Sequence, residues 1–296
     1  MDPLRVVVRR GGVVEAVHRV HAVAVLAGEI VARAGDPELV AFLRSSSKPI
    51  QALPLARARP DLDERDLAIA SASHRAERAQ LEAARRLLAK APARERELEC
   101  GIQDGRSPDP LHHNCSGKHA GMLALCRAHD WRSEGYRHEG HRVQRAMLTA
   151  HAEAAEVDGD AIPTAVDGCG VVTFALTLER TARAFGRIES LKGGSRVATA
   201  MRAYPELIGG AGQTDTELMR ALAGWTAKGG AEGLMCAASP DGLGVALKSV
   251  DGFSRPHRPA LHAFLARLGL ELGDSFARVA IKNAHGETVG EIVCES

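Results

Sequence analysis

The sequence predicts an α+β fold: an antiparallel sheet formed by both chain ends, plus a mainly helical middle region. Three observations predict it. Residues 4–34 are rich in valine and broken by glycines, as strands and turns are. Beyond residue 230, two pairs of short apolar runs are each joined by a turn signal. Between these ends, leucine and alanine recur at helical spacing.

The elements follow in order. "LRVVVRR", "VVEAVHRV", "AVAVLAG" and "EIVARAG" are the opening strands. Residues 36–56 begin as a polar turn, pass through "ELVAFLRSSSKP" and end in apolar "IQALPLA". "DLAIASAS", 66–73, reads as a short strand, and "AERAQLEAARRLLAKA" as a helix stopped near Pro92. Residues 100–113 form a loop, 116–131 and 141–156 form helices, and 167–188 is a glycine-rich turn feeding a helix. A further helix is expected over 214–229. "AEGLMCAAS" and "GLGVALKSVDG" pair through "PDG", "PALHAFLARLGL" is a helix, and "ARVAIKN" pairs with "TVGEIV" through "AHG". With no repeat and no linker, 1–296 is one unit: sheet at about 1–70 and 230–296, helices at about 71–229.

Composition narrows the class. Hydrophobic residues are 45%, charged residues 25% and the net charge is +1, the profile of a globular chain. Without a dense basic block, and with aromatics at 3%, neither nucleic acid nor an anionic membrane is an expected partner. No run reaches the roughly 20 apolar residues that span a bilayer. The N-terminus has its apolar run before its arginines, the wrong order for a secretory signal, so the expected location is the cytoplasm. Six scattered cysteines favour reduced thiols over a disulfide framework.

Only seven of the 38 basic residues are lysines, which draws attention to any lysine beside a serine or cysteine. Lysine acts as a base when its pKa is lowered, whereas arginine does not. Ser45 stands three residues before Lys48 in "RSSSKPIQALP", the spacing at which an amine reaches a hydroxyl on one helical face. That is also the S-x-x-K arrangement of penicillin-recognising enzymes, and Lys248 in "ALKSVDG" occupies a strand end as their later lysine does. Pro49, however, disfavours αR at Lys48 and would make it a helix cap, with Ser45 outside the helix. Cys115 of "HHNCSGKHAGM", where Lys118 follows three residues later, and Cys169 of "VDGCG" could bind zinc with His112, His113 and His119 nearby, or the thiols could be inert and buried. Asp167 could be only the polar entry to a turn, and "TDT", 214–216, is expected to cap a helix.

Taken together, "RSSSKPIQALP", "ASH" at 72–74, "HHNCSGKHAGML", "VDGCGVVTFAL", "TDTELM" and "GLGVALKSVDG" resemble, in order and over nearly the whole chain, the Rhizobium etli-type L-asparaginases, the asparaginase II family. The resemblance implies a fold similar to serine β-lactamases and glutaminases, a homodimer, and hydrolysis of L-asparagine to L-aspartate and ammonia. It implies catalytic tandems of Ser45 with Lys48 and Ser73 with Lys248. It implies a zinc site of Cys115, Lys118 and Cys169, with Asp167 beside it at the position that contacts the substrate or the metal shell. Arg44, next to Ser45, is a candidate carboxylate partner for the substrate, with an ordinary surface ion pair as the alternative. The chain departs from the family after "ASH", where Arg75 and Ala76 replace a small residue and a glycine. Two alternatives stand beside this one. A β-lactam-type serine hydrolase would share the serine–lysine logic, though S-D-N and a true K-T-G are missing. A non-catalytic zinc- and amino-acid-binding protein would have no need of two serine–lysine pairs.

Overall fold

A computed structural model describes residues 1–295. One large antiparallel sheet uses both chain ends. Its strands are β1 (Leu4–Arg10), β2 (Val13–Leu26), β3 (Glu29–Ala34), β7 (Thr226–Gly229), β8 (Leu234–Ala238), β9 (Gly244–Ser249), β10 (Arg278–Lys282) and β11 (Thr288–Glu295). The order is β10-β11-β1-β2-β9-β8-β7, with β3 also paired to β2. The chain ends meet where Arg5 faces Glu295 and Val7 faces Val293. Val245, Ala246 and Leu247 of β9 are all fully buried, so both faces of the sheet centre are covered.

The helices are α1 (Lys48–Gln51), α2 (Leu53–Ala58), α3 (Glu64–Ala70), α4 (Arg78–Lys90), α5 (Ser116–Ala128), α6 (Arg142–Ala155), α7 (Leu178–Gly186), α8 (Gly194–Ala203), α9 (Pro205–Ile208), α10 (Thr214–Ala221), α11 (His257–Ala266) and α12 (Asp274–Ala277). Helix α7 packs on β2, β8 and β9, and α11 on β1, β9, β10 and β11. A second, small sheet of β4 (Val40–Phe42), β6 (Val172–Thr177) and β5 (Thr164–Val166) lies within the helical region. Among the described residues, no helix is long and apolar enough to cross a membrane. All six cysteines are free thiols.

Four local expectations are corrected. Residues 66–70 belong to helix α3, because Asp63 and Asp66 close a reciprocal capping box. Burial of Leu67, Ala68, Ile69 and Ala70 on all sides erases the amphipathic period that would have announced that helix. "VDGCGVV" is the turn of the β5–β6 hairpin, and a strand, not a helix, follows it. The helix begun at Thr214 ends at Ala221, and 226–229 is strand β7. Lys48 is αR (φ −56°) despite Pro49, so the chain from Arg44 to Ala58 runs almost unbroken through helical turns. Every residue from Ser46 to Ala56 is buried, and that packing outweighs the local bias against αR before proline.

Candidate active site

The Ser45–Lys48 segment enters its helical turn through Arg44, whose φ of +48° is left-handed. A non-glycine residue there is uncommon and is held by its surroundings. Here Thr173 Oγ1 accepts the Arg44 N–H at 3.1 Å, and Phe174 O accepts that of Leu43 at 2.8 Å. From the other side, β7 presses Gly230 against the turn. A Cβ at Gly230 would stand 2.6 Å from Ser46 Oγ and 3.1 Å from Ser46 N, so the approach requires glycine. Ser46 Oγ donates to Lys228 O and Ser47 Oγ to Arg44 O, which makes both hydroxyls part of the scaffold. Ser45 faces a cavity of about 310 Å³ that it shares with Ser73, Asp215 and Lys228.

Lys48 is fully buried beneath this cavity. Its Nζ donates to Ala72 O at 2.7 Å and to Ser73 Oγ at 2.9 Å. Burial lowers its pKa to about 8; the nearby Cys115 opposes that fall and Lys118 adds to it. Ser73 is fixed by its own N–H, which donates to Ile208 O at 2.8 Å. His74 beside it is neutral, its pKa driven to about 3 by burial and then by Lys48. His74 Nδ1 accepts the Ala76 N–H and leaves Nε2–H to donate to Ser116 Oγ. Ala76 itself adopts φ +62°, a conformation that glycine takes without strain.

Lys248 does not join this group. It lies on β9 opposite His21 and Leu234, its Nζ donates to Ser249 O at 2.6 Å, and it is absent from the cavity wall. The second lysine at the cavity is Lys228 on edge strand β7, 1% exposed, 3.3 Å from Asp215 Oδ2 and 2.8 Å from Gly229 O. Asp215 also accepts the Gly229 N–H. The sequence hid this pair because "TAKG" is too short to show alternation and merges with the helix before it. Asp215 belongs to the "TDT" segment expected to be only a cap; Gln213 is the residue at the cap position, and Asp215 is turned inward.

Arg44 and Asp167 are also placed differently from a substrate seat. They pair with each other, Nε to Oδ1 at 2.5 Å, and neither lines the cavity. Asp167 is fixed at the hairpin turn by bonds between its backbone and Val171 and Gly170. Cys115, Lys118 and Cys169 do converge. Lys118 Nζ lies 3.2 Å from Cys169 Sγ, and the free Cys169 thiol faces that of Cys115 within hydrogen-bonding reach. That contact, with Lys48 and Lys118 nearby, pulls the Cys115 thiol well below its ordinary pKa. Burial alone would lower Lys118, but the two sulfurs and Asp167 hold its pKa above the usual lysine value. Helix α5 reaches this position through Gly117, where a Cβ would meet Ile69 O of α3 at 2.2 Å. No group of three His, Cys, Asp or Glu that could hold a metal is found among the described residues, so lysine would be the third donor.

The family model of L-asparaginase II matches residues 6–294. The chain belongs to the L-asparaginase II family. Among solved structures, that of Mglu in its native form matches with a TM-score of 0.50 at 14% identity, over 90% of this chain and 70% of that one. Mglu in 4.3 M NaCl gives 0.48 at 12% identity, over 90% and 66%. At such identity the likeness to the first is one of fold. No curated protein sequence matches. For an L-asparaginase II family member, a small amide is the substrate class the family implies.

Proposed function

We propose that the chain is an L-asparagine amidohydrolase that works by serine–lysine nucleophilic catalysis. The observation that carries it is the Lys48 Nζ–Ser73 Oγ hydrogen bond of 2.9 Å, made by a lysine with a pKa of about 8, under a cavity that Ser45 shares. An amine with that pKa is neutral often enough near neutral pH to accept a proton. Ser45 attacks the side-chain amide carbon, and its proton passes through Ser73 to Lys48. The leaving amine takes that proton, the C–N bond breaks and ammonia departs from a seryl ester. Water then attacks the ester, returning the hydroxyl to Ser45 and releasing aspartate. Lys228, held by Asp215, places a fixed charge at the cavity. In a second reading Ser73 attacks, favoured by its direct bond to Lys48.

Zinc fits the thiol pocket by donor chemistry: two sulfurs and an amine converge, and Lys118 Nζ bonds only Cys169 among the described residues. Cys115, Cys169 and a deprotonated Lys118 would hold it. A bound zinc would supply a Lewis-acidic positive centre there. Metal analysis of the purified chain beside Cys169→Ala tests this assignment.

The deciding experiment measures ammonia release from L-asparagine and L-glutamine by wild type, Ser45→Ala and Ser73→Ala. Release from asparagine that Ser45→Ala abolishes supports the first reading. Release abolished only by Ser73→Ala makes Ser73 the nucleophile. No release from either amide by the wild type, with or without zinc, would leave a binding protein in place of the enzyme.

A further inference from the structure

Two cations at the cavity have no part in the chemistry just described. Arg75 and Arg106 both line its wall. Arg106 is anchored by backbone, with Nη1 donating to His74 O and His112 O at 3.0 Å each. Those acceptors are neutral carbonyls and supply no charge opposite its own. Arg75 is exposed, and only its backbone N–H is engaged, by Gln80 Oε1 at 2.8 Å. Among the described residues, no carboxylate lies within 4.0 Å of either guanidinium. Glu77 flanks the stem of Arg75 instead: its Oε1 and Arg75 Cδ both stand 2.9 Å from where a Cβ on Gly210 would be. Burial and then the charge of Arg75 lower the proton affinity of Arg106, so the two cations feel one another.

Elsewhere around the site, opposite charges are matched. Lys228 has Asp215, and Arg44 has Asp167. The second pairing removes Arg44 from the role of carboxylate partner and leaves the substrate's acid group without an assigned seat. Two guanidiniums without a carboxylate partner line one cavity and repel each other. A bound carboxylate would turn that repulsion into charge-assisted hydrogen bonds, and the planar fork of arginine suits two carboxylate oxygens.

We propose that Arg75 and Arg106 form the seat for a free carboxylate of the substrate, and so select ω-amides that carry one over neutral amides. The proposal rests on the amidohydrolase reading for its substrate, but the seat can be tested apart from turnover. Ammonia release is measured for L-asparagine and L-asparagine methyl ester, with wild type, Arg75→Ala, Arg75→Lys and Arg75→Glu. The wild type is expected to favour the free acid at least hundredfold in kcat/KM. Arg75→Ala narrows that ratio at least tenfold, chiefly through KM, Arg75→Lys restores part of it, and Arg75→Glu narrows it furthest. Because Arg75 is exposed and its side chain makes no hydrogen bond, these variants keep the fold.

Calorimetric titration with L-aspartate supplies the second readout. The wild type binds it, and Arg75→Glu binds it at least tenfold more weakly. An acid-to-ester ratio equal in wild type and Arg75→Glu overturns the seat while leaving the hydrolase intact. Aspartate binding that depends on Arg75 in a chain that releases no ammonia upholds the seat and removes the hydrolase. Aspartate bound equally by both proteins removes the seat.

Discussion

Lys48 and Lys118 are both buried, 0% and 3% exposed, yet their surroundings drive them in opposite directions. Lys48 meets a backbone carbonyl and a hydroxyl, groups that do little to offset desolvation, and its pKa falls to about 8. Lys118 meets two sulfurs and lies near a carboxylate, and its charge is held. Burial alone therefore does not make a base; the partners decide. Lys228 is a third enclosed lysine, paired with one carboxylate.

The largest effect is expected from removing the amine meant to act. Lys48→Met should lower ammonia release by about 10²–10⁴-fold, the usual worth of a positioned base, with the circular dichroism spectrum unchanged. Next comes the matched pair. Asp215→Ala strands a buried Lys228 ammonium and should cost about 3–5 kcal/mol in urea unfolding. A loss under 1 kcal/mol would mean that Lys228 is not charged when folded.

Smaller effects sharpen the contrast. In metal-free protein, Lys118→Met should weaken the ultraviolet absorbance of the Cys115 thiolate, because it removes one of the cations that favour it. An unchanged thiolate band would assign the effect to Cys169 and Lys48 alone. Three histidines, like Lys48, are buried where desolvation outweighs any nearby opposite charge. Burial lowers the pKa of His74 to about 3 and those of His151 and His257 to about 4. Between pH 6.5 and about 4 the unfolded chain binds these protons and the folded chain does not. Stability should therefore fall as pH falls through that window, by about 1.4 kcal/mol per pH unit for each histidine. Urea midpoints that stay flat from pH 6.5 to 4.5 would contradict it.

The terminal sheet was legible because valine-rich runs and turn signals agree there with the final pairing. The motif segments were legible as a set, but the expected pairing was not: Lys48 bonds Ser73 and not Ser45, which shares only the cavity with Ser73. Three further things were not legible. Helix α3 is buried on every side, so its periodicity vanishes. Lys228 sits on a strand of four residues behind a helix, whereas Lys248 sits on a longer strand that looks more like a site. The pairing of Arg44 with Asp167 joins residues 123 apart, and no local pattern encodes it.

The most direct test is an NMR titration of lysine side chains in the metal-free protein, feasible because the chain has only seven. One lysine should titrate near pH 8, and its signal should vanish in Lys48→Met. The lysine lost in Lys118→Met should stay protonated beyond the ordinary lysine range. If no lysine titrates below pH 10, or if the one that does is Lys118, the two pockets do not divide the roles of base and fixed charge, and the proposed catalysis loses its base.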